Sequence, residues 1–504
     1  MFSDARSPVG APRQEKRRFF RWKTSLGAGH AAGLAHCIAI FLLLFLWFAA
    51  WAVIKPPFQA PDEFSHAVKA YSVADNPWLT PKPHVSIPSR LHNPLLSAEV
   101  LHAIPFHNAR SLSDNDIAFL KGLQWPVGEG ATQTFTSAYN YPYAYYQAVF
   151  AFGQGLSLLT DATPYDSLYL YRFASAFLAS FAWLLVFFSL PAKLPHRISI
   201  FLFLVLNPML AFMSSSINPD GLFYPLTCLV VVLFYRLSIS GDGKGQAAWA
   251  ALTTAPLVKS VGLVLFPAIA LFSTGLWLAR KKMRLLRALA VAGAALAASF
   301  LAFYLWAPAP DELAYSGKGV DASLWHYLLA NKYAALGESF WGVLGWFDYT
   351  LASPYYWAFI PLLGINAVCV LLEQKRWRSH GLTWYAAGFS LIFAAGLFAI
   401  EFLLLPRYGY VLQGRYFLPA ALGLAMLLVH RHAWARNALL VYLGVFSLLL
   451  YGETVDRYYD ANWERAWRGF PFTATCSAPS GPALSVAAGL PARAIEIRLV
   501  REEI

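Results

Sequence analysis

Residues 33–54 form an apolar run without a single Asp, Glu, Lys or Arg. The run is long enough to cross a hydrocarbon layer of about 30 Å as one helix. In lipid every backbone N–H and C=O needs a partner within the protein, which leaves a helix as the simplest solution for one segment. Basic residues crowd its N-terminal side: Arg13, Lys16, Arg17, Arg18, Arg21 and Lys23. That asymmetry predicts a cytoplasmic N-terminus. The run exceeds a signal peptide's apolar region and lacks a small-residue cleavage site, so it reads as a retained signal anchor.

Composition extends this to the whole chain. It is 58% hydrophobic and 13% charged, about half the charged fraction of a soluble protein. The expected class is an all-α polytopic membrane protein whose spans form one body. The net charge of +12 does not require a nucleic-acid partner, because the Lys and Arg residues sit in short clusters between apolar runs, as positive-inside topology demands. Cys37, Cys228, Cys369 and Cys476 are scattered, with no disulfide or metal spacing.

The basic clusters serve as topology markers. They fall at residues 193–197, 236–244, 280–287, 375–378 and 431–436. With all of them cytoplasmic, the apolar runs between them cross in pairs: 198–213 with 221–237, 246–258 with 260–279, 286–306 with 355–372, and 382–405 with 416–430. Adding the first run, one at 168–190 and a last at 437–452 gives about eleven crossings. The expected organisation is a basic cytoplasmic tail (1–32), a membrane domain (33–452) and an outer C-terminal tail (453–504). The stretch 142–160 is apolar, but a crossing there would put 193–197 outside, so it reads as a helix lying in the outer interface. The outer side then receives the loop 55–141, SSSINPDG (214–221), the loop 307–354 and PRYGYVLQGRY (406–416). Short helices are expected near 62–75 and 113–122 on an otherwise irregular path, and a strand at 492–500.

The first outer loop opens with KPPFQAPDEFSH (55–66), which places Asp62 and Glu63 at the mouth of the first span. A carboxylate there can take a proton from a substrate at the membrane surface. The plainer reading is that Asp62 caps the helix beginning near Glu63. Lys259 interrupts APLVKS between apolar runs, and a buried Lys needs an anion, either phosphate or carboxylate. Arg415 in QGRYFLP and Arg407 in the same turn offer planar guanidinium groups for a phosphate; Arg172 is a further candidate. Asn218 and Asp220 stand in a turn where both types often serve backbone geometry alone. Trp346 and Asp348 in GVLGWFD, with Gln413 and His66, complete the candidate substrate contacts. Glu63 and His66 share a helix face but make a weak metal pair. No nucleotide-binding glycine loop follows a strand. The constellation is a base beside cationic phosphate clamps, which suits glycosyl transfer from a lipid phosphate.

PPFQAPDEFSH (56–66), SSSINPDG (214–221), APLVKS (255–260), GVLGWFD (342–348) and QGRYFLP (413–419) resemble, in the same order, the bacterial membrane-protein family called domain of unknown function 2142. The resemblance covers about residues 35–450. That family resembles in turn the GT-C superfamily of polyprenyl-phosphate-sugar-dependent glycosyltransferases. The resemblance implies a GT-C-like bundle, a catalytic Asp at Asp62 with Glu63 as its neighbour, and outer interface helices after that loop. It also implies an inverting transfer without metal or other cofactor. The expected donor is a polyprenyl-phosphate-linked sugar, the acceptor a surface glycan, lipid-linked saccharide or protein, and the setting the bacterial inner membrane with the site facing the periplasm. A transporter or flippase of lipid-linked saccharides is the alternative, as is a non-catalytic envelope assembly protein. A transporter predicts charges in mid-span along a path, whereas the charges here collect at outer ends; Glu401 and Lys259 are the only hints, and neither lies deep.

Overall fold

The computed structural model describes residues 28–75, 84–97, 111–127, 130–139, 141–240, 245–259, 262, 265, 268–269, 332–345, 350–373, 381–408 and 412–472. Among these the chain is predominantly helical. Six helices are long and apolar enough to cross a membrane: Gly33–Val53, Pro164–Ser189, Asp220–Leu237, Ser353–Leu372, Gly381–Ala399 and Ala433–Tyr459. A seventh crossing is available if the bent pair Arg197–Val205 and Pro208–Ser214 acts as one span. The expected runs 260–279 and 286–306 lie almost wholly outside the described residues, as do the strand at 492–500 and the N-terminal basic tail.

Local chemistry sets the element boundaries. The first helix stops before Pro56-Pro57, where two residues in succession lack a backbone donor. The 64° bend in the pair falls at Asn207-Pro208. There the Asn207 Oδ1 accepts the Leu210 N–H at 3.0 Å and Pro208 takes the first helical position. Thr163 and Pro164 start the helix Pro164–Ser189 the same way. The expected crossing at 416–430 is broken instead into 3-10, α and 3-10 turns from Gly414 to Leu428, too short to count as one span.

The loop after the first helix contains the two expected short helices, Glu63–Ser72 and Asp114–Gly122. Its path is more ordered than the sequence suggested. His84–Pro88 and Ala131–Phe135 pair antiparallel, with His84 opposite Phe135 and Pro88 opposite Ala131. Only Val85 and Ile87 of this ribbon are buried, so its apolar pattern is too brief to read as strands. Ala144–Leu159 is a 16-residue helix packed on Pro164–Ser189. The last long helix runs on to Tyr459, and a short helix, Trp463–Gly469, follows.

Candidate functional site

Asp62 sits in a backbone conformation most residues avoid, with φ 62° and ψ 3°. Asp and Asn tolerate this left-handed region better than other side chains, though it still costs roughly 1–3 kcal/mol. Asp62 precedes the helix Glu63–Ser72 yet its side chain makes no capping hydrogen bond. The carboxylate turns instead to Arg415, whose Nη2 donates to Oδ2 at 2.8 Å. Arg415 is buried while the Asp62 side chain is 43% exposed. The carboxylate is therefore half-exposed and paired with a side chain rather than spent on capping the helix.

Glu63, one residue on, has a different task. It is fully buried and bidentate to Arg172, with Nε to Oε1 at 2.8 Å and Nη2 to Oε2 at 2.6 Å. Its Oε1 also accepts the Ile217 N–H at 3.1 Å. Burial alone would raise the Glu63 carboxyl, but the guanidinium beside it holds it below the usual carboxylate range. The remaining Arg172 donors go to the carbonyls of Ala52, Lys55 and Pro56. Arg172 therefore binds the end of the first helix to Pro164–Ser189, and its guanidinium is occupied by protein oxygens. A phosphate-binding role for Arg172 does not fit this geometry. Glu63 acts as a buttress that sets the position of Asp62.

The SSSINPDG turn closes the other side. Asn218 Nδ2 donates to the Pro61 carbonyl at 3.1 Å, and its Oδ1 accepts the Asp220 N–H at 2.9 Å. The turn thus grips the chain one residue before Asp62. Asp220 is buried and paired with Lys259, so the anion expected for Lys259 is a carboxylate of the same protein. Lys259 lies 5.1 Å from the Tyr416 ring centroid, and the Arg415 guanidinium 5.3 Å from the same ring. Two ion pairs, Asp62–Arg415 and Asp220–Lys259, thus converge on one aromatic side chain.

His66, one helical turn after Asp62, faces this cluster. Its Nδ1 shares a hydrogen bond with the Tyr146 hydroxyl at 2.7 Å, and its ring meets Tyr141 edge-on at 5.1 Å. Burial pushes the imidazole down to about 4, only partly offset by the Asp62 and Asp220 charges, so it is neutral at physiological pH. Burial, then the nearby Tyr416, Asp220 and Asp62, push the Tyr141 phenol well up, so it remains a neutral donor. The site gathers one half-exposed carboxylate, two buried cations, and the rings of Tyr141, Tyr146 and Tyr416.

Two lysines escaped the sequence reading. Lys55 Nζ donates to the Phe212 carbonyl, Ser215 Oγ and Ser216 Oγ, tying the first helix to the serines of SSSINPDG. Lys69 donates to the carbonyls of Ala138, Tyr139 and Tyr141, with the Tyr143 ring at 4.0 Å. It thereby fixes Tyr141 in place. Lys69 follows His66 by three residues on the same helix, a spacing that could have drawn notice.

Arg415 is held in place by packing at Gly414. A Cβ there would lie 1.9 Å from the Leu336 carbonyl oxygen and 2.4 Å from Phe340 N, so only glycine permits this approach to the helix Lys332–Trp341. Gln413 leads into the same turn, where its carbonyl accepts the Tyr416 N–H at 3.0 Å. Glu401 is buried and accepts the Leu412 N–H, which makes it a support for this turn. Trp346 and Asp348 lie outside the described residues, as does the side chain of Arg407. Among the described residues no group of three or more His, Cys, Asp or Glu is arranged to hold a metal ion.

The family model described as "Predicted membrane protein (DUF2142)" matches residues 45–424, a stretch that carries every member of this cluster. No curated protein matches the chain.

Proposed function

The chain belongs to the DUF2142 family of predicted membrane proteins, and we propose that it is a glycosyltransferase taking a sugar from a polyprenyl-phosphate carrier. The observation that carries the reading is Asp62, a half-exposed, strained, non-capping carboxylate 2.8 Å from a buried guanidinium. In the proposed reaction Asp62 takes the proton of an acceptor hydroxyl as its oxygen attacks the anomeric carbon. The bond from that carbon to the phosphate oxygen breaks, and the electron pair leaves with polyprenyl phosphate. Arg415 and Lys259 stabilise the charge gathering on the phosphate. An arriving phosphate competes with Asp62 for Arg415, which frees the carboxylate when the donor is in place.

His66 and Tyr141 supply neutral donors and, with Tyr416, ring faces suited to a sugar. Single attack at the anomeric carbon inverts its configuration and calls for no metal or other cofactor. The acceptor is a surface glycan, a lipid-linked saccharide or a protein. We place the protein in a bacterial inner membrane with the Asp62 side of the site facing the periplasm, on the distribution of Lys and Arg between apolar runs.

The experiment is complementation of a deletion strain with wild type and with Asp62→Asn, followed by surface-glycan analysis. Asn also accepts the left-handed backbone, so the variant should insert at the wild-type level. The expected result is the deletion phenotype, with at least the ~10²-fold loss of transfer typical of a missing general base. Full restoration of the glycan by Asp62→Asn would remove Asp62 from the mechanism.

A further inference from the structure

The last long helix, Ala433–Tyr459, has 27 residues and is about 40 Å long at 1.5 Å per residue. That exceeds the ~30 Å hydrocarbon layer, so its ends reach headgroup level. At Asp460 and Ala461 two successive left-handed residues, with φ 52° and 54°, turn the chain back on itself. The short helix Trp463–Gly469 follows, capped by the Asn462 side chain, which accepts the Arg465 N–H at 3.0 Å.

One side of this segment is fastened to the protein. Lys121 donates to the Phe470 carbonyl at 2.7 Å, the Tyr165 hydroxyl to the Gly469 carbonyl at 2.5 Å, and the Phe472 N–H to Asp166 Oδ1 at 2.7 Å. Ala466 is fully buried. The segment therefore joins the helix Asp114–Gly122 of the first loop to the start of the spanning helix Pro164–Ser189. The other side is uncovered: three large apolar side chains stand out on it, beside the exposed Glu464–Arg468 ion pair. Trp463 is 56% exposed, Trp467 62% and Phe472 51%.

We propose that residues 463–472 are a membrane-surface anchor whose Trp463, Trp467 and Phe472 lie at the boundary between lipid headgroups and acyl chains. The first reason is continuity with the lipid-facing wall of the spanning helices. Phe472 stacks on Phe173 at 6.4 Å, Phe173 meets Phe45 of the first helix at 6.4 Å, and Phe177 meets Phe41 at 5.1 Å. Phe472 thus extends an aromatic ridge that already belongs to two spans. The second reason is residue type, since Trp favours the headgroup level over both water and hydrocarbon. The third is charge. Arg465 pairs with Asp460 at 2.9 Å and Arg468 with Glu464 at 2.5 Å, and both also approach Asp114 at 3.6 and 3.8 Å, so carboxylates of the protein offset both arginines. The anchor accordingly binds a zwitterionic surface through apolar area rather than through anionic lipid. Its consequence is that the first loop, which bears Asp62, is held down against the bilayer.

The test places nitroxide labels at Trp467→Cys and Phe472→Cys in a variant with the four native cysteines replaced, reconstituted in phosphatidylcholine vesicles. Collision rates with oxygen and with a water-soluble nickel chelate report depth. Val127→Cys, at a fully exposed position, is the aqueous control. Positions 467 and 472 should favour oxygen while position 127 favours nickel, with no change when anionic lipid is added. Nickel-favoured collisions at 467 and 472 would overturn the proposal and leave a face free for a protein partner. Should the cysteine-free chain fail to fold, hydroxyl-radical footprinting of the wild-type chain in nanodiscs decides. Slow oxidation of Trp463 and Trp467 supports the anchor, and oxidation at the rate of Trp in water refutes it.

Discussion

Asp62 and Glu63 are neighbours of the same charge, yet the structure assigns them opposite tasks, and exchanging each carboxylate for its amide separates them. Glu63→Gln keeps the volume and leaves Arg172 as a fully buried cation without its counter-charge. Removing one partner of a buried pair typically costs 3–5 kcal/mol. Arg172 keeps the carbonyls of Ala52, Lys55 and Pro56, so the low end applies, about 3 kcal/mol. The Ile217 N–H also loses a charged acceptor for a neutral one. Asp62→Asn breaks a pair whose acidic side is 43% exposed. Water screens the acid, the buried Arg415 keeps the Asp220 charge nearby, and the expected loss is about 1 kcal/mol, well below that for Glu63→Gln. The assay is unfolding of both purified variants in one detergent, followed by intrinsic fluorescence, beside complementation of the glycan phenotype. Glu63→Gln should lower stability markedly and retain transfer in whatever fraction stays folded. Asp62→Asn should unfold close to wild type and be inactive. Equal destabilisation by the two substitutions, or a stable but inactive Glu63→Gln, would refute the division and make Glu63 part of the chemistry.

Lys259→Ala and Arg415→Ala should each weaken donor use by about 1.5–3 kcal/mol, the worth of a charge-assisted contact; donor titrations of transfer read this, and unchanged affinity and rate in both would move the phosphate site elsewhere. Arg415→Lys should rescue only in part, because an ammonium lacks the planar fork. Gly414→Ala alters no charge but cannot fit beside Leu336 and Phe340, so it should reduce transfer by displacing Arg415, and wild-type activity would show that the turn adapts. For His66, lowered from 6.5 to about 4, the unfolded chain takes up a proton before the folded one does. Its contribution is therefore complete above pH 6.5 and falls towards pH 4 by up to a factor of about ten in the folding equilibrium per pH unit. His66→Gln should flatten that acid arm in unfolding measurements, and an unchanged pH profile would argue against a neutral buried His66.

What could be read from the sequence follows from how far each residue departs from its surroundings. Asp62 was legible because charge beside an apolar span is conspicuous, and Lys259 because a lysine between apolar runs needs an anion. The identity of that anion was not legible, since Asp220 lies 39 residues away and its turn explains itself by local geometry. Arg172 and Glu63 looked like site residues for the same reason that Asp62 did. Only their distances show that each satisfies the other. Lys69 and Tyr141 were overlooked because a lysine and a tyrosine in a polar loop are unremarkable until three carbonyls are seen around the ammonium. The strand pair escaped because two buried side chains cannot establish a period. The helices 62–75 and 113–122 were within reach because their starts carry local signals, including the Ser113–Asp116 capping box.

The separation of the two ion pairs along the chain gives the protein an order of maturation. Glu63 meets Arg172 across 109 positions, so the buttress can form once the early helices have entered the membrane. Asp62 waits for Arg415, 353 positions later. At about 5–20 residues per second of synthesis, roughly 12–50 s pass between the appearance of the two arginines. During that interval the nascent chain already has a fixed carboxylate but lacks the cation that pairs with it. A ribosome that stops early therefore releases a membrane-inserted protein without Arg415, and the second ion pair forms only when most of the chain is in place.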